Sequence, residues 1–340
     1  MHITNLKKDL FVIPAAIAFF ASALAAQPSL TPYYNFQTVD YPGSIATYPL
    51  GINDLRTVVG YYLDPTFAAH GFLWKNGVFT TIDHPNAKLG LFAGTTTGGI
   101  NDLGVIAGTY LSKTDGFLHG FRLNFPAGCD ADDKNCAPVF TELDVPGAAQ
   151  IPSIPFEFGP GLGTASIGIN LEGSIVGMYA TAGLFSNGFV LKNGVYLPVT
   201  NPLAGTTPGA GSKCFAINDL GAMACDYIVQ ASPQSPPHTH GFLVEGTKIT
   251  PIEVPGSESG LFGTQINGVN DFRQVVGSFL NGLTLEAMVW IGGNYYTLNY
   301  PGQPNYNELH SINNLGVITG AYATDPAGHN VHGFLAIPKL

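Results

Sequence analysis

Charge is scarce in this sequence. Only 11% of its 340 residues are Asp, Glu, Lys or Arg, against the roughly 25% usual in soluble domains. The balance is acidic, with 13 basic and 23 acidic residues and a net charge of −10. No Lys/Arg run follows the first few residues, and phosphate backbones are bound by clustered Lys/Arg, so nucleic acid is excluded as an expected partner. Long apolar runs are also missing beyond the N-terminus. Nothing there approaches the roughly 20 residues of a spanning helix, so the mature chain carries no expected membrane span. Several catalytic signatures are absent too: no G-x-S-x-G elbow, no H-E-x-x-H pair, and no glycine loop leading into Lys-Ser/Thr. In their place stand 43 Gly, 25 Pro and a hydrophobic content of 45%. That mixture excludes a disordered chain and describes many short strands separated by turns.

The first residues read as an export signal. Lys7 and Lys8 precede an apolar run from Leu10 to Ala21, interrupted by Pro14, and Ala23 and Ala25 suit a small-residue cleavage site. The expected organisation is a signal peptide over residues 1–26 and one domain over 27–340, secreted or periplasmic. The four cysteines fit an oxidising compartment. Cys129 and Cys136 bracket a short polar loop. Cys214 and Cys225 are equidistant from a turn centred between Asp219 and Leu220, which places them opposite one another on a hairpin. Both pairs are expected disulfides.

A repeat dominates the remainder. An Ile/Val-Asn core recurs at Asn53, Asn101, Asn170, Asn218, Asn270 and Asn313. Seven residues further on stands Gly60, Gly108, Gly177, Cys225, Gly277 or Gly320, and nine further on an aromatic every time. A His-Gly-Phe-Leu element follows with His70, His119, His240 and His332, then a β-branched run closing on Asp-x-Pro, as at Asp40, Asp83 and Asp144. The N-D-L-G link suits a tight turn whose Gly104, Gly173, Gly221 and Gly316 take φ > 0, whereas Arg56 and Arg273 occupy that place in two copies and imply turns that are strained or differently shaped. Each copy supplies four antiparallel strands in about 52 residues, the content of one propeller blade. The last copy lacks its fourth strand, and an orphan fourth strand, Phe36 to Gly43, stands near the start. The expected fold is therefore all-β: a six-bladed β-propeller of four-stranded antiparallel blades, the ring closed by the N-terminal strand.

These motifs, "GIND-x-G-x-IVG-Y", "HGFL" and "FT-x-ID-x-PGA", resemble the HAF repeat, a probable extracellular repeat. The resemblance runs from Phe36 to Leu340 and weakens at the His-Gly-Phe element of the third and fifth copies. It implies export and tandem β units, and brings no reaction with it.

Residues recurring once per blade are explained by structure, so the histidines and the Asp before Pro are expected to bond within blades. Function is expected where the repeat is broken, on the face carrying the loops that lead into each inner strand. Tyr48, Phe92, Phe156, Phe158, Phe262 and Tyr306 bring aromatics there, suited to stacking on sugar rings or apolar side chains. His310 joins them, with Glu157, Glu258 and Glu308 as unmatched acids. The expectation is a monomeric binding module for an extracellular carbohydrate or peptide, with no catalytic residue assigned. A hydrolase or lyase using these carboxylates or His310, and a structural surface protein, are the alternatives. No cofactor or metal is expected. The loop holding Asp130, Asp132 and Asp133 crowds oxygen ligands that could hold calcium, yet it lacks the spacing and the distal Glu of a calcium loop.

Overall fold

The computed structural model describes residues 27–91, 93–126, 129, 137–150, 163–229, 237–257, 263–325, 328 and 330–339. The expected signal peptide, Cys136 and the acidic loop with Asp130, Asp132 and Asp133 lie outside them. The chain is all-β with almost no helix, and a 3₁₀ turn over Thr31–Tyr33 precedes the first strand. No helix there is long and apolar enough to cross a membrane.

Strand β1 (Tyr34–Thr38) precedes five complete four-stranded antiparallel units. The first comprises β2 (Ala46–Ile52), β3 (Val58–Leu63), β4 (Ala69–Lys75) and β5 (Val78–Ile82). The second comprises β6 (Thr95–Ile100), β7 (Ile106–Leu111), β8 (Leu118–Asn124) and β9 (Val139–Leu143). The third comprises β10 (Thr164–Ile169), β11 (Ile175–Ala180), β12 (Ser186–Lys192) and β13 (Val195–Val199). The fourth comprises β14 (Gly211–Ile217), β15 (Met223–Val229), β16 (His238–Glu245) and β17 (Lys248–Ile252). The fifth comprises β18 (Thr264–Val269), β19 (Val275–Asn281), β20 (Thr284–Ile291) and β21 (Asn294–Thr297). Last come β22 (Asn307–Ile312), β23 (Ile318–Ala323) and β24 (Val331–Pro338), against which β1 pairs with Tyr34 opposite Pro338 and Thr38 opposite Phe334.

The same joints recur at every seam. One parallel bridge links the third strand of a unit to the segment entering the next: Ala69 to Gly94, Leu118 to Gly163, Ser186 to Gly211, Thr239 to Gly263, Leu285 to Tyr306, and Val331 to Ala46. Glycine is required at four of these places. A Cβ on Gly94 would lie 1.8 Å from the Ala69 carbonyl oxygen. At the first strand of each unit a Thr, Ser or Asn accepts a backbone N–H from the end of the preceding unit. Thr95 takes that of His84 at 2.9 Å, and Thr47 that of Tyr41 at 3.0 Å.

The recurring asparagines tie the first strands together. Asn53 donates from Nδ2 to the carbonyl of Asn101, Asn101 to Asn170, Asn170 to Asn218, Asn218 to Asn270, Asn270 to Asn313, and Asn313 back to Asn53, all at 2.9–3.1 Å. A second ring lies beside it. Asp102, Asp219, Asp271, Asn314 and Asp54 accept the N–H of Asp54, Leu171, Asp219, Asp271 and Asn314 respectively. In the third unit Leu171 stands where the others have an acid or amide, so that link is missing. These buried amide bonds contribute about 1 kcal/mol each, and more is lost when one partner is left unpaired.

Between units the core is aliphatic and aromatic, for example Val59, Ile82, Ile100, Ile106 and Phe121. The histidines of the His-Gly-Phe element behave as expected: each pairs through Nδ1 with an acid of its own unit. The contacts are His70 to Asp83 (2.8 Å), His119 to Asp144 (2.7 Å), His240 to Glu253 (2.8 Å) and His332 to Asp40 (2.7 Å). Each also stacks on the aromatic of the second strand, as Tyr110 does on His119 at 5.4 Å. The residue between Asp and Pro extends the stack across the seam: His84 lies 3.7 Å from Tyr110, and Tyr41 3.6 Å from Tyr62. Cys214 and Cys225 face one another in the strand register and are disulfide-bonded. Cys129 is also disulfide-bonded.

Candidate functional site at the axis

Burial alternates along the first strands. Positions such as Thr47, Thr95 and Thr264 are fully buried, while their successors Tyr48, Thr96 and Gln265 keep some exposure. These strands are the inner edges of their units, so the less buried positions face the shared axis. Two residues further on, Leu50, Gly98, Phe215 and Asn267 line an axial cavity of about 100 Å³. A bulge at this level in all six strands brings small residues, such as Gly51 and Gly99, against the next unit's backbone.

The expected site residues fall into two groups. Phe92, Phe156, Phe158 and Phe262 lie outside the described residues, as do Glu157 and Glu258. Tyr48, Tyr306 and His310 come together where the last unit meets the first. They are not loop residues in the sense expected: Tyr48 lies within β2, His310 and Glu308 within β22, and Tyr306 forms the bridge entering β22. The Tyr306 hydroxyl donates to Glu308 Oε1 at 2.9 Å, and His310 Nε2 lies 3.1 Å from the same oxygen. His310 Nδ1 donates to the Pro49 carbonyl at 3.0 Å, which fixes the ring across the seam. The Tyr48 ring stacks on Tyr61 at 4.8 Å and lies 6.4 Å from His310.

Burial and the neighbouring Glu308 charge raise the phenols of Tyr48 and Tyr306 well above the ordinary tyrosine value, so both stay neutral. Burial works against the Glu308 charge, yet His310 and the Tyr306 hydroxyl outweigh it and hold the carboxyl below its ordinary value. Both contacts fall on Oε1. Oε2 takes part in neither, and the side chain keeps 15% exposure.

Sequence reasoning missed a second axial feature on the fourth unit. Lys213 sits at the position equivalent to Tyr48 and Glu308, directly opposite Asp226 in the register. Asp226 is fully buried: Oδ1 accepts the Ile266 N–H at 3.0 Å and Oδ2 has no partner. Burial lowers the Lys213 ammonium, with Asp226 opposing, and raises the Asp226 carboxyl well above its ordinary value. The signal was available, because the hairpin symmetry that pairs Cys214 with Cys225 also pairs Lys213 with Asp226. Tyr61 opposite Tyr48 follows from the same rule in the first unit.

No protein-family model matches this chain, and no curated protein matches it by sequence. Among solved structures, a putative gluconolactonase is similar at 11% identity, with 94% of this chain and 98% of that chain covered and a TM-score of 0.48. The Aleuria aurantia lectin in complex with Fucalpha1-6GlcNAc is 13% identical over 89% of this chain and 98% of that chain, with a TM-score of 0.44. AofleA from Arthrobotrys oligospora is 14% identical over 81% of this chain and 84% of that chain, with a TM-score of 0.46.

Proposed function

We propose that this chain is an exported six-bladed β-propeller of the HAF-repeat kind, closed by β1, and that it seats a carbohydrate at the axial mouth built by its first and last units. Six equivalent seams, an asparagine chain returning to its origin and the β1–β24 pairing support the closed ring. The export signal and the bonded cysteines support the compartment. One observation carries the ligand reading: Tyr48, Tyr306, Glu308 and His310 gather at one seam, and Glu308 Oε2 stands outside the contacts that Tyr306 and His310 make with Oε1. An acceptor oxygen beside tyrosine rings suits a hydroxyl-rich ligand that both bonds and stacks.

Glycoside hydrolysis would need a second carboxylate within reach of the substrate. Among the described residues gathered at this seam Glu308 is the one carboxylate, so binding accounts for the site better than catalysis.

The test is a glycan and peptide screen on the mature protein, with Glu308→Gln and Phe92→Ala compared by titration after matched melting curves. A glycan should bind, and Glu308→Gln should weaken it about tenfold or more, the scale of a hydrogen bond to a charged acceptor. Binding that neither substitution alters would place the ligand elsewhere, and selective capture of peptides would replace carbohydrate with peptide.

A further inference from the structure

The N-D-L-G turn gives nearly every position a task inside the molecule. Asn closes the first ring, Asp or Asn the second, and the fourth position takes positive φ. The third position has none. Leu55, Leu103, Leu220, Phe272 and Leu315 are 54–77% exposed, and none belongs to a hydrophobic cluster. In the third unit the turn carries Leu171 instead, 42% exposed and one residue earlier. A large apolar side chain in a solvent-facing turn costs solubility without any return from packing. Six of them encircle one end of one axis, the end opposite Tyr48 and Glu308.

Their centre is acidic. The axial cavity opens there among Asp54, Asp102, Asp219 and Asp271, and no Lys or Arg lines it. Burial and the facing Asp271, Asp102 and Asp54 raise the Asp219 carboxyl, so the ring is under mutual repulsion. Of the cations that these turns carry, Arg273 bonds Glu245 at 2.8 Å, and Arg56 makes no ion pair with the ring among the described residues. Asn314 Nδ2 donates to Asp54 Oδ2 at 3.1 Å and to Asp271 Oδ2 at 2.9 Å, so the ring has one amide donor but no cation in it. An apolar collar around such a negative centre has the anatomy of an interaction core that excludes water around one charged anchor.

We propose that this end of the axis docks a protein partner presenting an Arg or Lys side chain within an apolar surface, the cation entering the aspartate ring and the apolar residues covering the leucine collar. Charge complementarity selects that partner. A second copy would set carboxylates against carboxylates, and an apolar ligand alone would leave them uncompensated as water is excluded.

The experiment is a peptide array in which a central Arg, Lys, norleucine or Glu is flanked by Leu or by Ser, probed with the full chain and followed by titration. Two variants accompany it. Leu103→Ser/Leu220→Ser/Phe272→Ser removes collar side chains that pack against nothing. Asp102→Asn/Asp219→Asn removes charge while keeping the acceptor oxygen, a role Asn314 already fills towards the Asp271 N–H. Leu-flanked Arg and Lys peptides should bind. The collar variant should lose them, and the ring variant should bind them about tenfold more weakly. Glu308→Gln should leave this binding unchanged, which separates it from the carbohydrate seat. The proposal is overturned by equal binding of norleucine- and Arg-centred peptides, by a collar variant that binds normally, by no peptide binding at all, or by flotation of the chain with phosphatidylcholine vesicles.

Discussion

Arg56 and Arg273 hold φ of 60° and 59° at the turn position where Gly104, Gly173, Gly221 and Gly316 take 73–82°. A Cβ in that region crowds the neighbouring carbonyl, and glycine avoids the crowding at some entropic cost in the unfolded chain. Arg273 recovers part of the loss through its exposed bond to Glu245, which contributes little in water. Among the described residues no side-chain hydrogen bond or ion pair offsets it at Arg56. Arg56→Gly should therefore stabilise the fold by about 1 kcal/mol, read as a higher urea midpoint with an unchanged slope. A lower midpoint would mean that the arginine side chain has a task that its contacts do not reveal. The asparagines three residues earlier are the opposite case, since each one lost would leave a buried carbonyl and a backbone N–H unpaired.

Strands are joined within four of the six units by the His–acid pairs, which connect the third strand to the close of the fourth. At His119 burial disfavours the charged ring, but Asp144 and Asp115 outweigh it and the value is raised. A raised folded-state value means that the charged ring stabilises the fold. The contribution is complete below the ordinary histidine value of about 6.5 and fades as pH climbs past the folded one. His119→Gln should accordingly flatten the fall in urea midpoint on the alkaline side of that value, and an unaltered slope would assign the fall to other groups. These pairs were legible in the sequence because a His and an acid before Pro recur once in each of these copies, although the spacing between them varies from 13 to 25 residues within a copy. The strands, the turn strain and the Cys214–Cys225 bridge were legible for the same reason, being local. The seam stacks of Tyr41 on Tyr62 and His84 on Tyr110 were not, because the residue between Asp and Pro varies and its partner belongs to the next unit. Tyr48, Glu308 and His310 could be named singly as breaks in the repeat. That they form one cluster depends on contact between residues about 260 positions apart, which no local pattern encodes.

At the scale of the whole molecule the question is what closes the axis. Leu30 donates its N–H to the Thr297 carbonyl, Thr297 donates to the Pro28 carbonyl, and Lys339 donates to the Tyr33 carbonyl, so the segment ahead of β1 and the residues after β24 are held at one seam. Phe36 packs against Tyr300 at 5.3 Å and Phe334 at 5.7 Å, so β1 brings side chains to the seam as well as hydrogen bonds. Without β1, the edge of β24 is an unpaired row of backbone donors and acceptors flanked by exposed aromatics, a template for aggregation. Deleting residues 27–42 should therefore yield a chain that aggregates or melts far below the parent. Covalent order, by contrast, should matter little. Because Tyr34 lies opposite Pro338, a short glycine-rich hairpin can carry the chain from Leu340 into residues 31–42, with the new N-terminus at Gly43. That circular permutant restores the β1–β24 pairing, though not the Pro28 and Leu30 bonds to Thr297, and should melt within a few degrees of the parent, roughly the cost of altering one loop. Calorimetry and light scattering on the two chains decide the matter: a deletion that stays folded and monomeric, or a permutant that collapses, would remove β1 from the closure and leave the axis held by the asparagine chain alone.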